Sequence, residues 1–472
     1  MVAGSFPEAF LNYLKEAVGA ERAAEALACL EAPVSSCIRV NPAKPLQSGL
    51  AADMRDCHVS RIPWTEYGFT LGKRPVFTLD PCFHAGAYYV QDSSSMFIGE
   101  LFGRIVRKYY DGGTPLRILD LCASPGGKTT DVASRMPAGS VLVSNEAIRG
   151  RTAALMENVA LWGNPDVIVT NGDPGDFGER LKDFFDIILV DAPCSGEGMF
   201  RKDPSASEQW SEETVNLCAS RQRRILSAIW PSLKEGGFLL YSTCTFNRKE
   251  NIGNVSWMKN ALGAENVMED FPSVEEAGAI KDSEGGYLFL WGLVSGEGQY
   301  AAAVRKTAGD TERARVVSRK RKNDRVQDKH KTRLQVPDGL FKCGNMVYAL
   351  SEGGEVKAMT SWLSAVAGEV SSAVRAMSAG IRAGSLKGND FVPNADLALS
   401  SAYNRERYPE WNADKELALR FLAKESLRVP EGCPDGYQTV VYDGLPIGFV
   451  KNIGNRMNNL HPQSRRIRMR ID

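Results

Sequence analysis

The chain has 472 residues, of which 43% are apolar and 24% charged, with 57 Lys plus Arg against 57 Asp plus Glu. That length exceeds one ordinary core and predicts two or three domains of a globular rather than a disordered protein. The balanced charge gives no overall bias toward a polyanion, and no apolar run approaches the roughly 18 residues of a membrane span.

The first stretch, "MVAGSFPEAFLNYLKEAVGAERAAEAL", is broken by Pro7 and charged throughout, unlike the apolar region of a signal peptide. A cytoplasmic protein is expected, with its ten cysteines present as thiols. No two are spaced C-x-x-C, so neither a zinc finger nor another metal site is expected. Residues 1–85 read as helices and short strands, with turn signals at "NPAKP" and "IPW".

From 86 to 305 strands and helices alternate. "RILDL" (117–121), "SVLVSN" (140–145), "DVIVTN" (166–171), "DIILVD" (186–191) and "GFLLYS" (237–242) are the strand candidates. Helix-length stretches such as "GRTAALMENVALWG" separate them. Near-continuous apolar strands alternating with helices predict an α/β fold, a doubly wound parallel sheet covered on both faces. Residues 306–335 are polar and basic and read as a linker; 336–472 regain apolar pattern and are expected to form a separate C-terminal domain. Between Arg305 and Arg333 there are twelve Lys/Arg and four Asp/Glu; the last 22 residues hold six Lys/Arg and one acid. Such runs are either solvated segments or contacts to a polyanion.

In "ILDLCASPGGKTTDVA" a small-residue loop follows the first α/β strand, where doubly wound folds bind ligands. "GKTT" suggests a Walker A loop, but the required first glycine is Cys122, and the motif fails. Glu146, after the second strand, is placed to bond a ribose diol, and Asp173 in "NGDP", after the third, to bond a purine amino group. Asp191 ends the fourth strand. Acids at successive strand ends would repel a polyphosphate, and they suit an adenosine ligand carrying cations, such as S-adenosylmethionine. Taken singly, Glu146 and Asp173 read equally well as helix caps or turn formers.

The stretches "SSCIRVNPAK", "HAGAYYVQDSSSM", "LDLCASPGGKTT", "SNEAIRGR", "VTNGDP", "DAPCSGEGMFRKDP", "YSTCTFNRKEN" and "GEGQYAAAVRK" run in order from residue 35 to 305. With them the chain resembles the RNA (cytosine-C5)-methyltransferase family, and within it the bacterial 16S ribosomal RNA type F branch. The tail "GLPIGFVKNIGNRMNNLHPQSRRIRM" is similar to the PUA-like end of that branch. The resemblance implies a Rossmann-like methyltransferase domain over 86–305, an N-terminal α+β RNA-recognition region over 1–85 and a C-terminal PUA-like α+β RNA-binding domain over 336–472. It implies contacts to S-adenosylmethionine from Cys122, Ala123, Ser124, Pro125, Gly126, Gly127, Lys128, Glu146, Asp173 and Asp191. Ser124 stands where the family usually has Ala.

Cytosine C5 is a poor nucleophile until a thiolate adds at C6, which explains a need for cysteine. Cys194 and Cys244 each follow a strand, and Asp191, three residues before Cys194, is the candidate acid to stabilise charge near N3. Spacing does not decide which cysteine attacks; the resemblance assigns attack to Cys244 and release to Cys194. Cys29, Cys37, Cys57, Cys82, Cys218, Cys343 and Cys433 read as inert thiols. A Cys–His hydrolase fails because none of the four histidines lies in the α/β motifs. Duplex cytosine hides C5 and C6, so the target is unpaired or flipped out. Arg201 and Lys202 are candidate phosphate contacts or ordinary surface charges. The branch implies small-subunit rRNA, free or in an assembling subunit; transfer RNA, or a non-catalytic assembly role, are the alternatives.

Overall fold

The computed structural model describes residues 6–307 and 336–470, apart from 31, 48–53, 55, 56, 204, 268, 352 and 389. The basic linker expected over 306–335 therefore falls, from 308 onward, outside the described residues.

Ten strands form the central sheet, and seven make up its main body: β1 (Arg117–Asp120), β2 (Val141–Asn145), β3 (Val167–Asn171), β4 (Phe185–Asp191), β5 (Leu233–Thr243), β6 (Tyr287–Phe289) and β7 (Gln299–Lys306). They lie in the order β3-β2-β1-β4-β5-β7-β6. The first five run parallel, and β7 and β6 are antiparallel to their neighbours. The strands are apolar at nearly every position because helices cover both faces: Leu119, Val143, Ile168, Ile188 and Leu239 face one core, and Ile118, Leu142, Val167, Ile187 and Leu240 the other. The covering helices include α1 (Gly127–Arg135), α2 (Thr152–Trp162) and α3 (Glu212–Ile229). The last begins where the Ser211 hydroxyl accepts from the Thr214 amide. The strand order reverses direction between β1 and β4, and loops leaving their carboxyl ends open a crevice there. Among the described residues no helix is long and apolar enough to cross a membrane.

The flanking regions clamp onto this sheet. The strands Val59–Arg61, Gly68–Leu71, Ser36–Val40 and Tyr88–Val90 form an antiparallel N-terminal sheet, so it runs past the boundary expected at residue 85. Its Ile38, Leu71 and Tyr88 share one core with Val440 and Ile447 of the C-terminal sheet and Phe421 of the helix Lys415–Leu422. Both regions also dock on the end of α2. Asn41 Nδ2 donates to Trp162 O at 3.0 Å and Lys44 Nζ to Leu161 O at 2.6 Å. Gly163, with φ +82°, closes the helix, and a Cβ there would lie 2.0 Å from Leu399 O. Burial lowers the Lys44 ammonium to about 7.

The expectation of a separate domain from residue 336 needs correction. The strand Arg375–Ala379 pairs antiparallel with β3 and extends the catalytic sheet. The helix Ser361–Ala373 before it buries Leu363, Val366 and Val370 in the sheet's own core. Asp166 accepts from Thr360 Oγ1 at 2.5 Å and Trp362 Nε1 at 2.8 Å, fixing that helix in place. The composition change along the chain is thus not a boundary in space.

Ending the chain after Lys306 unpairs the β3 edge and uncovers the surface packed by Leu363, Val366, Val370 and Val374, each worth about 1.5–3 kcal/mol when buried. Such a chain is expected to melt at lower temperature and bind a hydrophobic dye. An unchanged melting curve would show the sheet to be complete without residues 361–379.

Candidate active site

Loops from the carboxyl ends of β1 to β5 enclose a cavity of about 710 Å³. Cys122, Ser124, Glu146, Asp173, Asp191, Cys194 and Cys244 all line it. Ala123 is buried behind it, and Pro125 O accepts from Asn158 Nδ2 at 2.8 Å, which holds the loop against α2. Gly126 adopts φ +116°, and a Cβ there would press on Leu155 Cδ1 at 3.3 Å. Gly127 opens α1, and its carbonyl accepts from Arg39 Nη2 at 3.1 Å.

The acids are held differently. Glu146 is buried; its Oε1 accepts from the Ile148 amide at 2.8 Å, and its Oε2 lies 3.5 Å from Arg151 Nη1. Asp173 sits at the N-cap of Pro174–Arg180 but makes no side-chain capping bond, which leaves its carboxylate to the cavity. Asp191 accepts from Lys128 Nζ at 2.8 Å and from Ser242 Oγ at 2.6 Å. Burial lowers the Lys128 ammonium, but Asp191 more than offsets it and the group stays above its ordinary value. Beneath them Asp120 accepts from Thr129 Oγ1 at 2.7 Å, and burial raises its carboxyl to about 7. Burial likewise raises the Cys122 thiol.

Cys194 and Cys244 meet, their Sγ atoms 3.2 Å apart. The bond to Cys244, then burial, raises the Cys194 thiol well above its ordinary value, and the Glu250 carboxylate adds to the effect. Lys128, by contrast, is electrostatically coupled to Cys244. Of the remaining cysteines, Cys37, Cys57, Cys82 and Cys218 are buried, and Cys29, Cys343 and Cys433 are half-buried.

Comparison with known proteins shows the family. The model for 16S rRNA methyltransferase RsmB/F matches residues 112–305, that for the N-terminal domain of 16S rRNA methyltransferase RsmF matches 6–93, and that for the methyltransferase RsmF PUA domain matches 409–467. Ribosomal RNA small subunit methyltransferase F of Escherichia coli O157:H7 is 30% identical, over 97% of this chain and 96% of its own length. This chain belongs to the RsmF family. The namesake protein of Enterobacter sp. is 29% identical over 97% of this chain and 95% of its own.

A methyltransferase homolog from Pyrococcus horikoshii shares the fold, with a TM-score of 0.54 and 25% identity over 64% of this chain and 96% of its own. NSun6 from the same organism aligns at a TM-score of 0.55 and 21% identity, covering 65% of this chain and 99% of its own. As an RsmF-family methyltransferase the chain uses S-adenosylmethionine as co-substrate. The cavity suits that group: its acidic end faces a ligand bearing cations, and the uncapped Asp173 carboxylate is left for one.

Two buried residues went unnoticed in the sequence. Glu197 follows Cys194 yet accepts from the Phe246 amide at 2.7 Å and the Asn247 amide at 3.0 Å, in the loop after Cys244. Glu250 follows Cys244 yet accepts from the Ser195 amide at 3.1 Å, beside Cys194. Gln222 completes the lock, donating to Pro193 O at 3.0 Å and Glu250 Oε2 at 2.7 Å. Each acid lies within a quoted motif, but nothing in sequence shows that it reaches across to the other loop.

Two arginines from segments read either as phosphate contacts or as solvated charges have neither role. Arg201 is buried, 3.6 Å from Glu297 Oε1 and donating to Ala32 O at 2.8 Å. Arg465 of the basic tail is buried too, paired with Glu157 and with Asp396. Both guanidiniums hold regions of the fold together. Lys202 is exposed.

Because the folded chain holds the Asp120 proton up to about 7, against 3.8 ordinarily, this group's contribution to stability is full below the lower value. It is lost as pH rises through the upper one. Asp120→Asn is expected to remove that slope, so the stability difference between wild type and mutant shifts toward the mutant between about pH 5 and about pH 8. Urea unfolding at both pH values measures it; a constant difference would show that Asp120 is ionised throughout.

Proposed function

We propose that this chain transfers a methyl group to C5 of a cytosine in RNA, small-subunit ribosomal RNA being the substrate its relatives' names favour. The observation that carries the reading is the meeting of two thiols, 3.2 Å apart, in one cavity with Asp191, which Lys128 pairs. An inert buried pair would need no cavity, and no acid-lined pocket continuous with it.

Cys244 is the nucleophile. Its thiolate, with the Lys128 ammonium as charge partner, forms the S–C6 bond. The C5–C6 π pair moves into the ring toward N3, where the Asp191–Lys128 pair supplies a hydrogen bond, and C5 becomes nucleophilic. S-adenosylmethionine, when bound, supplies the sulfonium methyl that C5 accepts. Loss of the C5 proton to a base then restores the double bond and expels the Cys244 sulfur. Cys194 retains its proton in the resting site and lies in contact with the departing sulfur, which suits it to assist release. Glu146 holds the ribose hydroxyls and Asp173 the adenine amino group. Residues 122–128 form the loop over which the cofactor lies, and the N-terminal and PUA regions position the RNA.

Bisulfite mapping of total RNA from a strain lacking the gene, repeated after complementation, tests the substrate. One cytosine of 16S rRNA is expected to lose and regain protection; a transfer RNA site in its place would redirect the assignment.

Cys244→Ala is expected to abolish turnover while retaining the cofactor. Cys194→Ala is expected to attack and methylate, then stall with RNA attached. A denaturing gel should show a slow, nuclease-sensitive band for Cys194→Ala only; the band with Cys244→Ala alone would exchange the two roles.

Glu146→Ala is expected to weaken S-adenosylmethionine by about 1–3 kcal/mol, the cost of hydroxyls left without a charged acceptor. Unchanged affinity in calorimetry would remove Glu146 from the ribose site.

A further inference from the structure

The same cavity carries two cations that the reaction does not use. Arg221 and Arg224 line it from α3, together with Met199 and both cysteines. Both are exposed, and among the described residues neither guanidinium has a hydrogen-bond or ion-pair partner within the chain. Their neighbours are engaged: Arg223 donates to Asn254 Oδ1 at 3.0 Å, Arg151 pairs with Glu146 and Arg201 with Glu297. Arg151, the third arginine lining this cavity, is paired with an acid, and these two are left open.

Their placement is directional. Leu217, Arg221 and Arg224 follow one another at spacings of four and three, so they share one face of α3. Leu217 is 60% exposed and Met199 41%, unusual for large apolar side chains beside a site. Along α3, Ile225 and Ala228 reach the part of the cavity near Pro174 and Gly175, and Arg221 lies a turn nearer the helix start. Glu146 and Asp173 follow β2 and β3, on the opposite side of β1 from the strands that lead to the cysteines, and their carboxylates repel a polyanion. A substrate strand reaching the cysteines must therefore approach from the arginine side.

We propose that the α3 face bearing Arg221 and Arg224 binds the phosphate backbone of the RNA strand at the target cytosine, with Leu217 and Met199 as apolar surfaces for adjoining bases. Guanidinium forks match phosphate oxygens in pairs, and an exposed face allows them to close on a strand as it enters. The proposal rests on the RNA-methylating reading above and names the surface that delivers the substrate to that site.

The test compares wild type, Arg221→Gln, Arg224→Gln, the double variant and the two Arg→Lys variants, all as full chains. RNA binding is measured directly by filter retention over a range of salt, and S-adenosylmethionine affinity by calorimetry. Because both side chains are exposed, melting temperature is expected to stay constant. RNA affinity is expected to fall about tenfold in the double variant, and the slope of log K against log salt by about 0.7 per lost contact. Lysine is expected to restore the salt slope but only part of the affinity, since it cannot form the fork. Unchanged RNA affinity and slope in the double variant would overturn the proposal. So would a loss of cofactor affinity without loss of RNA binding, which would make the arginines cofactor ligands. Failure of wild type to methylate any RNA that it binds would count against the reaction and leave this surface standing.

Discussion

Asp191 pairs with Ser242 across the parallel strands β4 and β5, and the site is built outward from that register. Two neighbouring parallel strands that end level deliver their following loops to the same place. Cys194 lies three residues beyond Asp191 and Cys244 two beyond Ser242, so the sulfurs converge although 50 residues separate them in sequence. The Ser242 hydroxyl bonds Asp191 across the same junction. A slip of one residue would reverse the faces of β5 and carry Cys244 away from the crevice. The Ser242–Asp191 bond and close packing in the two cores hold that register.

Level strand ends bring the loops close but do not fix them, and Glu197 and Glu250 supply the fixing. Each carboxylate follows one cysteine and accepts from backbone amides of the other's loop. The two loops are thereby tied reciprocally. Both acids are essentially fully buried and satisfied by neutral donors rather than cations: amides, Trp210 Nε1, Gln222 and Asn247. Leaving such a group without its donors costs about 1–3 kcal/mol or more, so the arrangement tolerates little play. Burial raises the Glu250 carboxyl, and its negative field falls on Cys194. One network thus positions both sulfurs and makes their surroundings unequal.

Around the catalytic sheet, cations divide by whether the fold has used them. The side chains of Arg39, Arg201 and Arg465 are buried in contacts between regions, reaching Asp131, Ala32 O and Glu157. Lys44 reaches backbone carbonyls at the end of α2. These residues join the N-terminal sheet, the methyltransferase sheet and the C-terminal sheets through shared cores and a shared helix end. The strand Arg375–Ala379 completes the same assembly by covering the β3 edge. The flanking regions are accordingly held in fixed relation to the cavity.

The periodicity of the chain determined the parallel sheet. Its five strands lie within a few residues of where apolar runs place them, since a strand buried on both faces must be apolar throughout. The loop at 122–128, the acids at strand ends and the two cysteines were legible for a related reason: each sits where a strand stops, and strand ends are visible in sequence. What tertiary structure alone decided was partnership. Arg201 and Arg465 look like free surface charges in sequence, yet each is buried against an acid brought from far along the chain. Arg221 and Arg224 look no different and are left open. Glu197 and Glu250 read as polar motif residues, and only folding shows each bonding the other cysteine's loop. Residues 361–379, apparently part of a separate domain, supply the last strand of the catalytic sheet. Local pattern fixes which side chains face a core, because burial repeats with the period of the helix or strand. Pairing between distant charges, loops and edges has no such period, and only the folded register sets it.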